Sequence, residues 1–327
     1  MKKLIYVLVA PAVLFWAVGC KTATGVPDGK TDGRLIELAD PTIFYHQGTY
    51  YLYGTGSPQG FRVYTSRDLK TWEMSTVNSG FALRKGDSFG DRGFWAPQVF
   101  EFGGEFYMAY TANENIAIAK SGSPLGPFKQ ETIKKLEAPV RQIDPFIFID
   151  DDGKKYMYHV RVADGGNRIF VAEMEGDFSA IKPETLRLCI EAGEPWENIE
   201  NAKWSVTEGP TLVKRDGLYY LIYSCNDFRS KDYAVGYATS ESPLGPWKKF
   251  EKNPVIRRDI LGYPGTGHGD LLNGKNGLYY VFHTHASDTA VAPRKTAIVK
   301  ARFAKDGSNP QQWQIDKKSF RYLTVRE

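Results

Sequence analysis

The sequence predicts an all-β fold, a single-domain five-bladed β-propeller, and three observations carry that expectation. A unit 48 to 64 residues long recurs five times along the 327-residue chain. Aromatic residues make up 14% of the composition, a load suited to pleated, half-buried surfaces and to lining a sugar site. No window of twelve or more residues holds a helical period of apolar positions. Four-stranded sheets repeated about an axis are the architecture that such a pattern fits.

In chain order, residues 1–20, "MKKLIYVLVAPAVLFWAVGC", combine a short basic start, an apolar stretch and small residues before a cysteine. They read as a lipoprotein-type signal peptide with Cys20 as the lipidated residue. The expectation is an exported bacterial lipoprotein at the outer membrane, the cell surface or the periplasmic face, touching the membrane through its lipid anchor only. Residues 21–33 are polar, without apolar period, and read as a flexible tether. Residues 34–327 are the propeller.

Its five segments are "ADPTIFYHQGTYYLYGT", "WAPQVFEFGGEFYMAYT", "IDPFIFIDDDGKKYMYHV", "TEGPTLVKRDGLYYLIYS" and "GHGDLLNGKNGLYYVFHT". Each runs through an apolar strand, turns at Gly48, Gly104, Gly153, Gly217 or Gly277, and returns through an aromatic-rich strand. Outer strands fill the gaps, among them "NRIFVAEMEG" and "KTAIVKARFAKDG". The terminal "SFRYLTV" either closes the ring or completes the last blade. "SPLGPF" (123–128) and "SPLGPW" (242–247) read as blade-packing turns, as does "SRDLKTW" (66–72). "DDDG" (150–153) lacks the remaining ligands of a calcium loop and reads as an exposed hairpin.

Forty-two basic and thirty-eight acidic residues leave a formal charge of +4, part of it at Lys2, Lys3 and Lys21. No basic run points to nucleic acid, and the protein is expected to be a monomer. After Cys20 only Cys189 and Cys225 remain. They could pair, but two cysteines make no disulfide framework, and without a Cys/His cluster no zinc site is expected.

Inner strands of a propeller converge on its channel, so the repeat brings Asp40, Ala96 beside Trp95, Asp144, Glu208 and His268 to one mouth. Close carboxylates raise one another's pKa, a cost that chemistry or a cation can use. An inverting glycosidase uses such a pair as a protonated acid and an ionised base.

At this point the chain resembles glycoside hydrolase family 43, from about residue 34 to its end. The motifs are "ADP" (39–41), "WAP" (95–97), "IDP" (143–145), "TEGP" (207–210) and "GTGHGD" (265–270), in family order. The resemblance implies Asp40 as general base, Glu208 as general acid and Asp144 as modulator of the acid's pKa. It also implies Trp95 as an aromatic wall and Arg294, in "RKTAIVK", as a grip on sugar hydroxyls. His268 would stand beside a structural calcium in the central channel, no cofactor being required for the reaction.

The implied substrate is an arabinose- or xylose-containing oligosaccharide from plant cell walls. An α-L-arabinofuranosidase is expected first, because no large C-terminal sandwich follows the fifth blade; a β-xylosidase, arabinanase or exo-galactanase is the alternative. Residues 191–205, "EAGEPWENIENAKWS", are expected to bring Trp196 or Trp204 to the rim of a closed, exo-acting pocket. A non-catalytic sugar-binding propeller would need the aromatics but not three carboxylates. A retaining fructosidase would carry Asn-Asp-Pro-Asn where this chain has "ADPT".

Overall fold

In the computed structural model, which describes residues 33–304, 307 and 311–326, strands dominate and the one α-helix is the single turn Arg258–Leu261. The expected signal peptide with Cys20, and the expected tether up to residue 32, lie outside the described residues. The five inner strands are Ala39–His46, Trp95–Phe102, Arg141–Ile149, Ser205–Arg215 and Gly267–Gly274. Each pairs antiparallel with the return strand after its glycine turn, and a third strand follows outward in every blade.

Both readings of "SFRYLTV" hold, each for half of it. Trp313–Tyr322 is the fourth strand of the fifth blade, whereas Thr324–Val325 leaves it to pair with Thr71–Met74 and Arg34–Leu35 on the first. Residues 34–35 and 324–325 therefore clasp the ring.

Five apolar clusters fill the five wedges between neighbouring blades. Phe61, Met108 and Phe128 pack between the first and second, and Phe100, Ile147 and Met157 between the second and third. Tyr158, Leu221 and Tyr223 fill the third wedge, Tyr237, Tyr280 and Trp313 the fourth, and Leu52, Trp72 and Ile298 the fifth. Full burial of one such side chain contributes roughly 1.5–3 kcal/mol, so the wedges supply most of the drive to close the ring. Cys189 and Cys225, both free thiols, lie in the third wedge. The two SPLGP turns are packing devices: Pro124 O and Pro243 O accept the hydroxyls of Tyr53 and Tyr158 from the preceding blade. In the DDDG hairpin Asp151, Asp152 and Gly153 are exposed, whereas Asp150 turns inward to Lys214 and Tyr219 of the fourth blade.

Every inner strand breaks register at its motif. The ladder skips from Ala39 to Thr42, Trp95 to Gln98, Ile143 to Phe146, Glu208 to Thr211 and Gly267 to Asp270. These are β-bulges, and the first bulged residue has positive φ each time: Asp40 at 47°, Ala96 at 44°, Asp144 at 54°, Gly209 at 59° and His268 at 39°. A proline follows four of the five, where it removes no ladder hydrogen bond. The expected five-fold alignment is thereby corrected at one place. Gly209, not Glu208, is equivalent to Asp40 and Asp144, while Glu208 shares its register with Trp95 and Ile143.

The bulge turns each first N–H away from its own sheet, and the preceding blade receives it. Ala96 donates to Thr55 Oγ1 (3.0 Å), Asp144 to Thr111 Oγ1 (2.9 Å), His268 to Ser224 Oγ (2.8 Å) and Asp40 to His283 Nδ1 (3.1 Å). All four acceptors pair with the residue just before their own blade's bulge. In the third blade that position is Val160, which accepts nothing. The Gly209 N–H goes instead to Asp144 Oδ2, at 3.2 Å.

Candidate active site

The bulges push Asp40, Asp144 and His268 into the channel mouth, and the residues before them, Trp95, Ile143 and Glu208, line the cavity above. That cavity, about 330 Å³, is completed by Asn167, Trp204, Val206, Arg294 and the loop residues Asp227, Phe228 and Arg229. Trp95 and Trp204 remain 38% and 43% exposed and offer flat apolar faces. Trp196 is not at the rim, which corrects the expectation for it. Its ring packs into the wedge of blades three and four, 5.9 Å from Tyr223 and against Gly236, where a Cβ would lie 2.6 Å away.

Asp40 is 8% exposed and surrounded by donors. Its Oδ2 accepts the Thr55 hydroxyl at 2.7 Å and its Oδ1 the Arg294 guanidinium at 3.2 Å; His268 Nδ1 lies 3.4 Å from Oδ1. Burial alone would push its pKa up, but Arg294, then His268, His283 and Thr55, hold it well below the ordinary carboxylate range. Arg294 also stacks over Phe228, 4.9 Å from the ring centroid, so its first partner is Asp40 while it borders the cavity. His283 accepts the Asp40 N–H on Nδ1 and is fully buried, and burial keeps it neutral.

Glu208 has the opposite surroundings. Burial, foremost, and then the charge of Asp40 raise its pKa to about 7, against hydrogen bonds from Tyr233 and Asn167. The Tyr233 hydroxyl donates to Oε1 at 2.9 Å, reaching it over Gly267, where a Cβ would lie 2.2 Å from the ring. Asn167 Nδ2 donates to Oε2 at 3.3 Å, and its Oδ1 accepts the Trp204 indole N–H at 3.0 Å. A short parallel pairing of Gly166 and Asn167 with Ser205 and Val206 draws this outer strand into the mouth. Asp144 is raised as well, by burial first and then by Glu208 and Asp40, with the Gly209 N–H opposing. Glu208 thus retains a proton to near neutrality while Asp40 stays ionised, and Asp144 is shifted in the same upward direction as Glu208. Burial, rather than neighbouring charge, is the leading cause.

The residues do not form a protein cage for calcium. Among the described residues no group of three His, Cys, Asp or Glu side chains converges to hold a metal. Below His268 the channel leaves about 20 Å³, roughly one water, and calcium takes six to eight oxygen ligands. Asp270, the nearest deeper carboxyl, is occupied by the Thr42 and Thr211 hydroxyls at 2.6 and 2.5 Å.

Tyr233, Asn167, His283 and the 227–229 loop escaped sequence reasoning. They come from return strands, outer strands and loops, whose positions no inner-strand motif encodes. Gly267 was the one signal for Tyr233, since a glycine inside a strand marks a close approach.

A five-bladed propeller whose mouth gathers one carboxyl held ionised and two whose pKa is raised has the arrangement a carbohydrate-cleaving enzyme needs. The model of glycosyl hydrolases family 43 matches residues 36–309, and the chain belongs to that family; it is a glycoside hydrolase. A solved structure described as an endo-1,4-β-xylanase from Bacteroides thetaiotaomicron is 39% identical, with a TM-score of 0.83 over 91% of this chain and 100% of that one. A thermostable family-43 glycoside hydrolase is 34% identical, with a TM-score of 0.77 over 88% and 95%. A β-D-galactofuranosidase of Aspergillus niger is 27% identical over 82% of this chain and 80% of its own length. A xylosidase/arabinosidase of Butyrivibrio fibrisolvens is 30% identical over 74% of this chain, which spans only 48% of that relative.

Proposed function

We propose that the protein hydrolyses terminal pentose units, α-L-arabinofuranosyl first, from arabinose- or xylose-containing oligosaccharides with inversion at the anomeric carbon. Asp40 is the base that takes a proton from the attacking water, and Glu208 is the acid that protonates the leaving oxygen. The observation that carries this reading is the opposite tuning of the two carboxyls in one cavity, Asp40 held ionised by Arg294 and Glu208 raised to about 7. Asp144 stands beside the acid as modulator of its pKa, and Trp95 and Trp204 supply stacking walls for the sugar. A β-xyloside is the second reading, favoured by the relatives named xylosidase/arabinosidase.

The deciding experiment is release of monosaccharide from arabinan, arabinoxylan, arabinogalactan and xylo-oligosaccharides, with the first-formed anomer followed by proton NMR. Arabinose appearing as the inverted anomer is expected. An inert wild type on the whole panel, or a retained anomer, would sink the reading. Export and lipidation at Cys20 belong to the same proposal: labelled palmitate should enter the wild type and not Cys20→Ala.

A further inference from the structure

Glu208 and Trp204 are joined through one side chain of a neighbouring strand. Alternate residues of a strand point to the same face, so Val206 and Glu208 of Ser205–Arg215 both line the cavity, and Trp204, just before that strand, joins them there. Asn167 of the strand Gly166–Glu173 lies in parallel register with Val206, midway between the other two. Its main chain is fixed in that place. The Thr207 hydroxyl donates to Asn167 O at 3.2 Å, and Gly166 lets the strands approach, since a Cβ on it would lie 3.0 Å from Ser205 O. One amide thereby reaches both ends, its Oδ1 accepting the indole N–H of Trp204 at 3.0 Å and its Nδ2 donating to Glu208 Oε2 at 3.3 Å.

The indole nitrogen can only donate a hydrogen bond, and an amide has one accepting and one donating end. Trp204 therefore decides which end of Asn167 meets the acid. With Oδ1 taken by the indole, Nδ2 must face Glu208. The choice matters because the two ends act oppositely on a carboxyl: an N–H favours its ionised form, whereas a C=O would accept the O–H of the protonated form and hold the proton back. When Glu208 acts, its O–H bond breaks, the proton forms a new O–H bond with the leaving oxygen, and the electron pair stays on the carboxylate. The Asn167 N–H meets that charge as it develops and is in place before the reaction begins. In keeping with this, Asn167 lowers the Glu208 pKa against the effect of burial.

The other charged or titratable groups that face Glu208 are Asp40 and Asp144 from neighbouring inner strands, His268 and Arg294 from the fifth blade, Tyr233, and the paired Asp227 and Arg229. Replacing Asn167 or Trp204 leaves all of them in the molecule.

We propose that Asn167 is a positioning residue for the acid, and that Trp204 acts through its indole N–H, by fixing the Asn167 amide, as well as through its aromatic face. The proposal rests on Glu208 being the acid. Trp204→Phe keeps an aromatic face and removes the N–H, freeing the amide to turn its Oδ1 towards Glu208. Asn167→Leu removes the amide. The test follows kcat/KM against pH on a disaccharide and on the dinitrophenyl glycoside of the same terminal pentose, whose leaving group needs no proton.

In each variant the basic limb on the disaccharide is expected to move up by about half a unit to one unit. Turnover should fall about threefold or more on the disaccharide and less than about twofold on the dinitrophenyl glycoside, which also reports correct folding. Added to Asn167→Leu, Trp204→Phe should move the limb no further, because the indole acts through the amide. An unmoved limb in Trp204→Phe, an equal loss on both substrates in both variants, or a Trp204→Phe shift as large without the amide as with it overturns the proposal. Should Asn167→Leu fail to fold, the limb of Trp204→Phe decides alone. Glu208→Gln separates the proposal from the reading it rests on: a loss confined to the disaccharide upholds Glu208 as the acid, whereas an equal loss on both substrates removes the acid and the proposal together.

Discussion

Four of the five blade junctions hand the bulge N–H to a hydroxyl or imidazole of the preceding blade, whereas the junction of blades three and four uses a site carboxylate. Thr55, Thr111, Ser224 and His283 serve the four. Val160 leaves the fifth without an acceptor, and Asp144 supplies it. The difference teaches that Asp144 carries two loads. It closes the ring at the one gap, and that same bond aims its oxygen at the residue following Glu208.

The comparison can be broken most severely at Asp144. Asp144→Ala should cut kcat/KM by about 10²–10⁴, the usual range for a proton-handling group, and lower the melting temperature because the Gly209 N–H is left unpaired. Adding Val160→Thr to it should restore the melting temperature and not the activity. Recovery of both would show that Asp144 acts through structure alone.

A smaller break is Thr111→Val at a latched junction. It strands the buried Asp144 N–H, an expected loss of roughly 1–3 kcal/mol readable from the urea midpoint. An unchanged midpoint would mean that the latch contributes nothing.

pH sharpens the contrast further. Glu208 has a folded pKa near 7, above its ordinary value, and as the proposed acid it acts in its protonated form. The rate should therefore be flat below about 7 and fall tenfold per unit above it. Asp40, shifted down, imposes no acidic limb until well below the ordinary carboxylate range. The same upward shift makes Glu208's contribution to stability decline as pH rises from 4.5 towards 7. Tyr233→Phe removes a bond that favours ionised Glu208, so the basic limb should move up by about one unit. A downward move would contradict the assignment. Val160→Thr alone should have the smallest effect. It relieves Asp144 of the Gly209 bond that lowers its pKa, so Asp144 stays neutral to higher pH and lends Glu208 less repulsion, and the limb should move down by no more than about half a unit; an upward move would contradict the assignment of the limb to Glu208.

Much of this was legible in the sequence. The five motifs, the glycine turns and the convergence of Asp40, Asp144, Glu208 and His268 follow from a repeat whose period exceeds one hairpin. Even most of the latches stand in view, since three of the five quoted segments end on Thr55, Thr111 and Ser224, and a fourth ends on Val160, the one gap. Aligning the acids with one another obscured the bulge. Aligning Pro41, Pro97, Pro145 and Pro210 instead sets Gly209 with Asp40 and leaves Glu208 level with Trp95. Trp196 was misjudged because a tryptophan in a rim insertion can serve either face, and the close approach allowed by Gly236 drew it inward.

By itself, then, the sequence determined the blade number, the inner strands and the identity of the three carboxyls, because period, turn glycines and strand patterning are local properties that repetition reinforces. Only the tertiary structure decided which carboxyl holds a proton. That depends on burial and on groups brought from other blades, Arg294 and Thr55 to Asp40, Tyr233 and Asn167 to Glu208, and Gly209 to Asp144. Electrostatic interactions act through space, and residues 254 positions apart, such as Asp40 and Arg294, meet only once the ring has closed.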